Sequence, residues 1–375
     1  MNVVPAAPAA DRAGRPLRRL GALDRFLPVW IGAAMGLGLG LGRLVPDLAA
    51  GLDRVQVATV SVPIAAGLLV MMYPVLARVR YGHLGGVVGD RRLLGASLVL
   101  NWLVGPAVMF GLAWTFLPDL PAYRTGLILV GLARCIAMVL IWNDLACGDR
   151  EAAAVLVALN SAFQVLAYAG LGYLYLDLLP GWLGLAGAGT AIAVSPLVIA
   201  QMVLIFLGVP LLAGALSRVL GTRLRGERWY EERFLPRVGP LALYGLLFTV
   251  VVLFALQGHA ITGDPLAVVR IALPLLVYFA LMWGLSFLLG RRLRLSYPRT
   301  ATLAFTAAGN NFELAIAVAI GVFGATSGEA LAGVVGPLIE VPALVGLVYV
   351  ALWARRRWFP DPVARPPAAE CETPA

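Results

Sequence analysis

The sequence predicts an all-α, polytopic membrane protein with ten transmembrane helices in two inverted five-helix repeats. Three observations carry that expectation. Of 375 residues, 61% are hydrophobic and only 13% charged, about half the charged share of a soluble domain. Ten apolar segments are each long enough to cross a hydrocarbon layer that takes about 20 helical residues. Five is also an odd number: if ten spans divide into two sets of five, the second set enters the membrane from the opposite side, as in an inverted repeat.

In chain order the segments are 26–46, 55–77, 93–116, 124–146, 152–177, 192–217, 238–257, 267–289, 300–323 and 331–354. They group into a first repeat over 25–180 and a second, inverted repeat over 181–354, with tails at 1–24 and 355–375. Residues 1–20 are rich in Ala, Pro and Arg and lack an apolar h-region, so no cleavable signal peptide is expected. Arginine sets the orientation, because the chain has no lysine. With the N-terminus inside, four of the 29 basic residues lie in outer loops (Arg43, Arg54, Arg124 and Arg270), one, Arg134, lies within a span, and the other 24 are cytoplasmic. Positive charge on the inner side places both termini in the cytoplasm and the protein in the cell (inner) membrane. The net charge of +9 then faces anionic lipid, and nucleic acid is not an expected partner.

Within the first span, GAAMGLGLGLGR invites a dinucleotide-loop reading. That reading fails because Arg43 stands where the third glycine belongs and no strand precedes it. Gly32, Gly36 and Gly40 are expected instead to form a small-residue face for close helix packing. Polar residues on other spans, Asn101, Asn160, Gln164 and Gln201, are read as hydrogen bonds between helices. The cysteines, Cys135, Cys147 and Cys371, are far apart, and His83 and His259 are assigned to loops. No zinc site, disulfide framework, P-loop, HExxH or Ser/His/Asp set is present, so no cofactor and no enzymatic chemistry are expected.

Intramembrane polarity concentrates in the fourth and ninth spans. The fourth reads GLARCIAMVLIWNDLACGD from Gly131 to Asp149, and the ninth TAAGNNFELAIAVAIGVFG from Thr306 to Gly324. Polar, glycine-containing segments at matching positions of two repeats point to a midplane site. Gly309, Asn310 and Asn311 could interrupt the ninth helix. The fourth offers only Gly131 and no proline. Glu313 is a carboxyl at mid-span, suited to proton coupling or substrate binding, with a structural helix–helix bond as the plainer role. Asn310, three residues earlier, would share its helical face. Glu340, between Pro337 and Pro342, is a second acid, equally readable as structural. Cys135 is either a small apolar filler or a soft ligand for a thiophilic partner. Arg134 beside it could pair with a carboxylate such as Glu313.

These two stretches, together with GPLIEVPALVGLVYVALW, resemble the arsenite efflux permease family of the bile acid/arsenite/riboflavin transporter superfamily. The resemblance covers about 25–355. It implies export of trivalent arsenite, in some members also antimonite, by antiport with protons, and discontinuous, crossing fourth and ninth helices. It places the family's essential cysteine on Cys135 and its essential acid on Glu313. Arg134, Asn143, Asn310, Asn311 and Glu340 also match motif positions. The implied sets are Cys135, Asn143, Asn310, Asn311 and Arg134 for substrate, with Cys135 as ligand to arsenic(III), and Glu313 and Glu340 for protons. Asp144 and Cys147 depart from the pattern; Cys147 would be an extra thiol on the cytoplasmic entry side. Two rivals stand beside this expectation. One is a sodium-coupled symporter of an organic anion on the same fold; the other is an intramembrane enzyme or sensor.

Overall fold

The computed structural model describes residues 27–45, 56–57, 60–78, 90–185, 195–263 and 265–359. The terminal tails up to residue 26 and beyond 359, with Arg12, Arg15, Arg18, Arg19 and Cys371, lie outside the described residues, as do Arg54 and His83. Helices account for nearly all of the rest. They are α1 (Leu27–Leu44), α2 (Val62–Ala77), α3 (Arg91–Phe116), α4 (Pro121–Leu132), α5 (Met138–Leu145), α6 (Arg150–Trp182), α7 (Pro196–Arg225), α8 (227–238), α9 (Pro240–Gly263), α10 (Pro265–Arg292), α11 (Tyr297–Ala308), α12 (Phe312–Phe323) and α13 (Gly328–Trp358). A two-residue ladder, β1 (Gln56–Val57) with β2 (Val60–Ser61), precedes α2.

Six helices are long and apolar enough to cross a membrane, and α1, α2 and α12 are shorter apolar helices. Side chains such as Leu166, Leu197, Leu212 and Leu266 are exposed on them, as hydrocarbon as solvent allows. This is a multi-pass membrane protein. Helices fall on the ten expected segments in order, with differences. α2 starts only at Val62, after the ladder, where the segment was expected from 55; α7 runs to Arg225, past 217; and α8 lies in a stretch expected to be a loop. The last helix runs to Trp358, past the expected end at 354, and carries Arg355, Arg356 and Arg357 in its final turn, where cations offset the negative helix end. His259 belongs to α9 rather than to a loop. The fourth and ninth segments are each two helices.

Proline explains the irregular turns. Four π-type turns, at Leu100–Val104, Leu174–Leu178, Leu204–Gly208 and Tyr230–Phe234, each end two residues before a proline: Pro106, Pro180, Pro210 and Pro236. Proline lacks the N–H and its ring clashes with the carbonyl four residues back. A wider turn relieves both without ending the helix.

One layer is built from α1, α2, α9 and the second half of α7, with α8 packed on α2, α7 and α9; the other helices pack into a second body. The α1–α9 contact uses a different glycine face from the expected one. A Cβ on Gly32, Gly36 or Gly40 would meet nothing within 4 Å, whereas one on Gly38 would lie 2.5 Å from the Val251 carbonyl and one on Gly42 would run into that of Ala255. Gly42→Ala should therefore push the helices apart and cost about 1–3 kcal/mol; thermal unfolding in detergent reads the loss. Gln201 is exposed, and Asn101 bonds Ser97 on its own helix, so neither joins two helices. Asn160 does, accepting from Trp102 Nε1 at 3.2 Å.

On the α3–α4 side of the fold, the Arg270 guanidinium clamps both carboxylate oxygens of Asp119, with Nη1 at 2.8 Å from Oδ2. These bonds hold the exposed Asp119 carboxyl well below its usual range, at about 2. A folded-state value below the unfolded one means the contribution is present above about pH 4 and fades as pH falls toward 2. At neutral pH, Asp119→Asn should speed hydrogen exchange in the 117–120 turn, a change the wild type acquires only in that acid window.

Candidate functional site

The breaks in the fourth and ninth segments are paired with one another. Between α4 and α5 the chain is extended at Ala133, and between α11 and α12 it is extended at Gly309. The two runs lie antiparallel, with Arg134 opposite Asn310. Cys135 N–H donates to the Gly309 carbonyl at 3.2 Å, and Asn311 N–H to that of Ala133 at 3.1 Å. Backbone without helical bonds survives at this depth only where something else satisfies it; here each break satisfies the other.

Two further backbone amides face outward from the pair, and each meets a side chain. Arg134 N–H donates to Gln164 Oε1 from α6, and Asn310 N–H to Glu340 Oε1 from α13 at 3.2 Å. Each acceptor lies 30 residues beyond its donor. Gln164 joins two helices, as expected, and accepts from the α4–α5 break as Glu340 accepts from the α11–α12 break.

Charges sit where the broken helices need them. Arg134, fully buried, donates to the Gly131 carbonyl in the last turn of α4, to the Ala307 carbonyl in the last turn of α11 at 3.4 Å, and to the Tyr278 hydroxyl at 2.7 Å. It thus caps two negative helix ends together. These are its side-chain partners among the described residues, so the pairing with Glu313 left open in the sequence is not made. At the opposite, positive end, Asn311 caps α12 through Leu314 N–H at 3.0 Å, and Glu313 occupies the first turn. Asn310 lies in the break and not on a helical face with Glu313 as expected.

Cys135 carries a free thiol, 3% exposed. It faces Gly309, where a Cβ would come within 2.9 Å of the cysteine Cβ and 3.5 Å of Sγ. Glu340 and Glu313 are both within electrostatic reach of it. Around it are buried polar atoms with no partner: both amide atoms of Asn310, Nδ2 of Asn311, Nε2 of Gln164 and Nε of Arg134. Such atoms are rare in native interiors, and several together mark a place that water or a ligand completes. Asn143 lies two turns along α5, toward the start of α6. Its Oδ1 lies 2.7 Å from the Thr302 hydroxyl, and its Nδ2 is buried and unpartnered. Asp144 is outside the cluster, exposed and paired with Arg150 at 2.8 Å.

The structure therefore brings Cys135, Arg134, Asn310, Asn311 and Glu340 into one cluster, with Glu313 at its edge and Asn143 two turns away. Gln164, Tyr278 and Thr302 were not singled out as site residues from sequence. The 30-residue spacing shared with Glu340 would have found Gln164; nothing in the local sequence marks the other two.

Two broken helices paired back to back at a buried polar cluster, inside a multi-pass membrane protein, define a carrier. Residues 65–264 match the profile of the Sodium Bile acid symporter family. Over 351 residues the chain is 55% identical to the Arsenical-resistance protein Acr3 of Corynebacterium glutamicum, covering 94% of each. It is 31% identical over 356 residues to the Acr3 of Alkaliphilus metalliredigens, covering 92% of this chain and 96% of the relative. An uncharacterized transporter of Synechocystis is 36% identical over 375 residues, covering 95% of this chain. The chain belongs to the arsenite efflux permease family, within the wider bile acid symporter family: it is a transporter and not an enzyme.

Proposed function

We propose that the protein exports arsenite from the cytoplasm by antiport with protons, with antimonite as a second substrate. One observation carries the reading: a single buried thiol sits at the paired breaks, surrounded by amide groups that have no partner. Identity of 55% to an arsenical-resistance protein supports it. We further propose ten spans in two inverted sets of five, both termini cytoplasmic, in the inner membrane. The matched roles of Gln164 and Glu340 support the inverted repeat, since each satisfies the outward amide of its own half.

Arsenious acid is uncharged at cytoplasmic pH, with a soft centre and three hydroxyls. Cys135 exchanges its proton for arsenic: the S–As bond forms, one As–O bond breaks, and the hydroxyl leaves with the thiol proton as water. A lone thiol keeps this reversible, where three would hold the metalloid too tightly for release. Asn310 and Asn311 meet the remaining hydroxyls, and Asn143 donates on the cytoplasmic approach. Arg134 fixes the crossing from behind, leaving Nε toward the substrate. Glu313 loses its proton as substrate binds, the two bodies rock, and water reverses the exchange outside. Glu313 then returns a proton inward, with Glu340 as the second acid of the relay. A potential of ~100 mV supplies about 2.3 kcal/mol per charge, roughly fifty-fold in gradient.

Metalloid flux in proteoliposomes, with and without an imposed pH gradient, tests the reading. Arsenite should accumulate only with the gradient. Uptake driven by sodium would point to the organic-anion symporter, and no flux of any solute to a sensor.

A further inference from the structure

A small cavity lies where the α1/α2/α9 layer meets the second body. Its volume is about 20 Å³, and its walls come from α2, α9, α12 and α13. Leu68, Met71, Val250 and Ile316 give it a mostly apolar lining, to which Glu313 from the second body and Thr249 from α9 also contribute. Thr249 is 3% exposed and its hydroxyl is buried without a hydrogen-bond partner. Space for that hydroxyl is made by Gly67 of α2, where a Cβ would lie 2.6 Å from Thr249 Oγ1. A buried hydroxyl left unsatisfied costs about 1–3 kcal/mol, so this one calls for a partner. A water needs about 10–15 Å³ of such space and at least two polar neighbours; the cavity has that space, and Thr249 and Glu313 both line it.

We propose that this cavity holds one water joining the Thr249 hydroxyl to the Glu313 carboxyl, which makes Thr249 the positioning residue for that acid on the opposing layer. The inference rests on the reading of Glu313 as the coupling group. It adds what that reading lacks, a polar contact from the layer against which the second body moves. Rocking the two bodies would separate Thr249 from Glu313, so the acid has this donor, in addition to its own backbone N–H, in one state and lacks it in the other. Proton release is thereby tied to conformation.

Other ionisable groups are few. Glu340 of α13 and Cys135 at the break are within electrostatic reach of Glu313 or its thiol neighbour. The faces that α2 and α9 turn to the cavity bring none. Of the other helices packed on α12, α4 carries its ionisable side chains in its first turn (Tyr123 and Arg124) and α7 in its last turns (Arg218, Arg223 and Arg225).

The test replaces the hydroxyl by a methyl of equal size, Thr249→Val, and keeps it in Thr249→Ser. The infrared band of the protonated carboxyl that Glu313→Gln removes is titrated in the full-length protein, alongside the pH profile of arsenite flux. A donor to a carboxylate favours its charged form. Thr249→Val should therefore move both midpoints to higher pH by about one unit, and Thr249→Ser should stay near wild type. Because the hydroxyl makes no protein hydrogen bond, the valine variant keeps every bond of the fold; Thr249→Ala provides a second hydroxyl-free variant and should shift the same way. Valine and alanine titrations that superimpose on wild type would overturn the proposal. If Glu313→Gln leaves the pH dependence of flux intact, the coupling reading itself fails. If it flattens that dependence while the Thr249 variants are silent, only the present inference fails.

Discussion

Cys135→Ala should abolish arsenite flux into everted membrane vesicles, by two orders of magnitude or more, while the protein stays folded. The expectation follows from what else the site contains. Asn310, Asn311 and Gln164 offer amide groups, which bind hydroxyls but have no affinity for a soft centre; sulfur alone supplies that. The same amides would accept a water as readily as a substrate, so without the thiol the site loses its reason to prefer a metalloid. Folding should survive, because the lost atom is one of few contacts. Removing one buried methylene-sized group costs on the order of 1 kcal/mol, and the Cys135 backbone, which pairs the breaks through Gly309, is unchanged. Cys135→Ser is the sharper variant: it keeps size and polarity but offers a hard oxygen, and should be as inactive as alanine. Full flux in either variant, measured beside an intact melting transition, would remove sulfur from the mechanism and favour an oxygen-only site such as an organic-anion symporter would use.

How much of this arrangement the sequence disclosed depends on the kind of signal. Hydrophobic length is written locally. The second segment, expected from 55, becomes helical only at Val62, but the six long apolar helices were legible. So was the concentration of polarity in Gly131–Asp149 and Thr306–Gly324, since each polar residue stands out against hydrocarbon composition. The breaks themselves were half legible. Gly309, Asn310 and Asn311 are residues that leave a helix easily. The run after Leu132 contains no proline or glycine, and it is extended because its partner break supplies the bonds, which is a tertiary cause. Packing faces were misread for a related reason: the glycines of α1 recur at so many spacings that Gly32, Gly36 and Gly40 looked as good as Gly38 and Gly42, and only the position of α9 decides. Tyr278 and Thr249 carried no signal, because an isolated hydroxyl in an apolar helix reads the same whether it bonds its own backbone, a buried arginine or nothing.

Arg134→Met should be the most damaging substitution to stability. A guanidinium here has three acceptors, and two of them are carbonyls at the ends of different helices, Gly131 of α4 and Ala307 of α11. Each helix end carries roughly half a negative charge, and no bulk water is present to answer it. A thioether leaves both carbonyls and the Tyr278 hydroxyl unpaired, a loss on the scale of breaking a buried ion pair, about 3–5 kcal/mol. That is a large part of the stability of most domains. The variant should melt far below wild type in detergent and recover poorly from the membrane. Arg134→Lys should fall between them, since an ammonium keeps the charge but cannot span two carbonyls and a hydroxyl in one plane. A methionine variant that melts with the wild type yet moves no arsenite would assign the guanidinium to the substrate instead, through the Nε that has no protein partner.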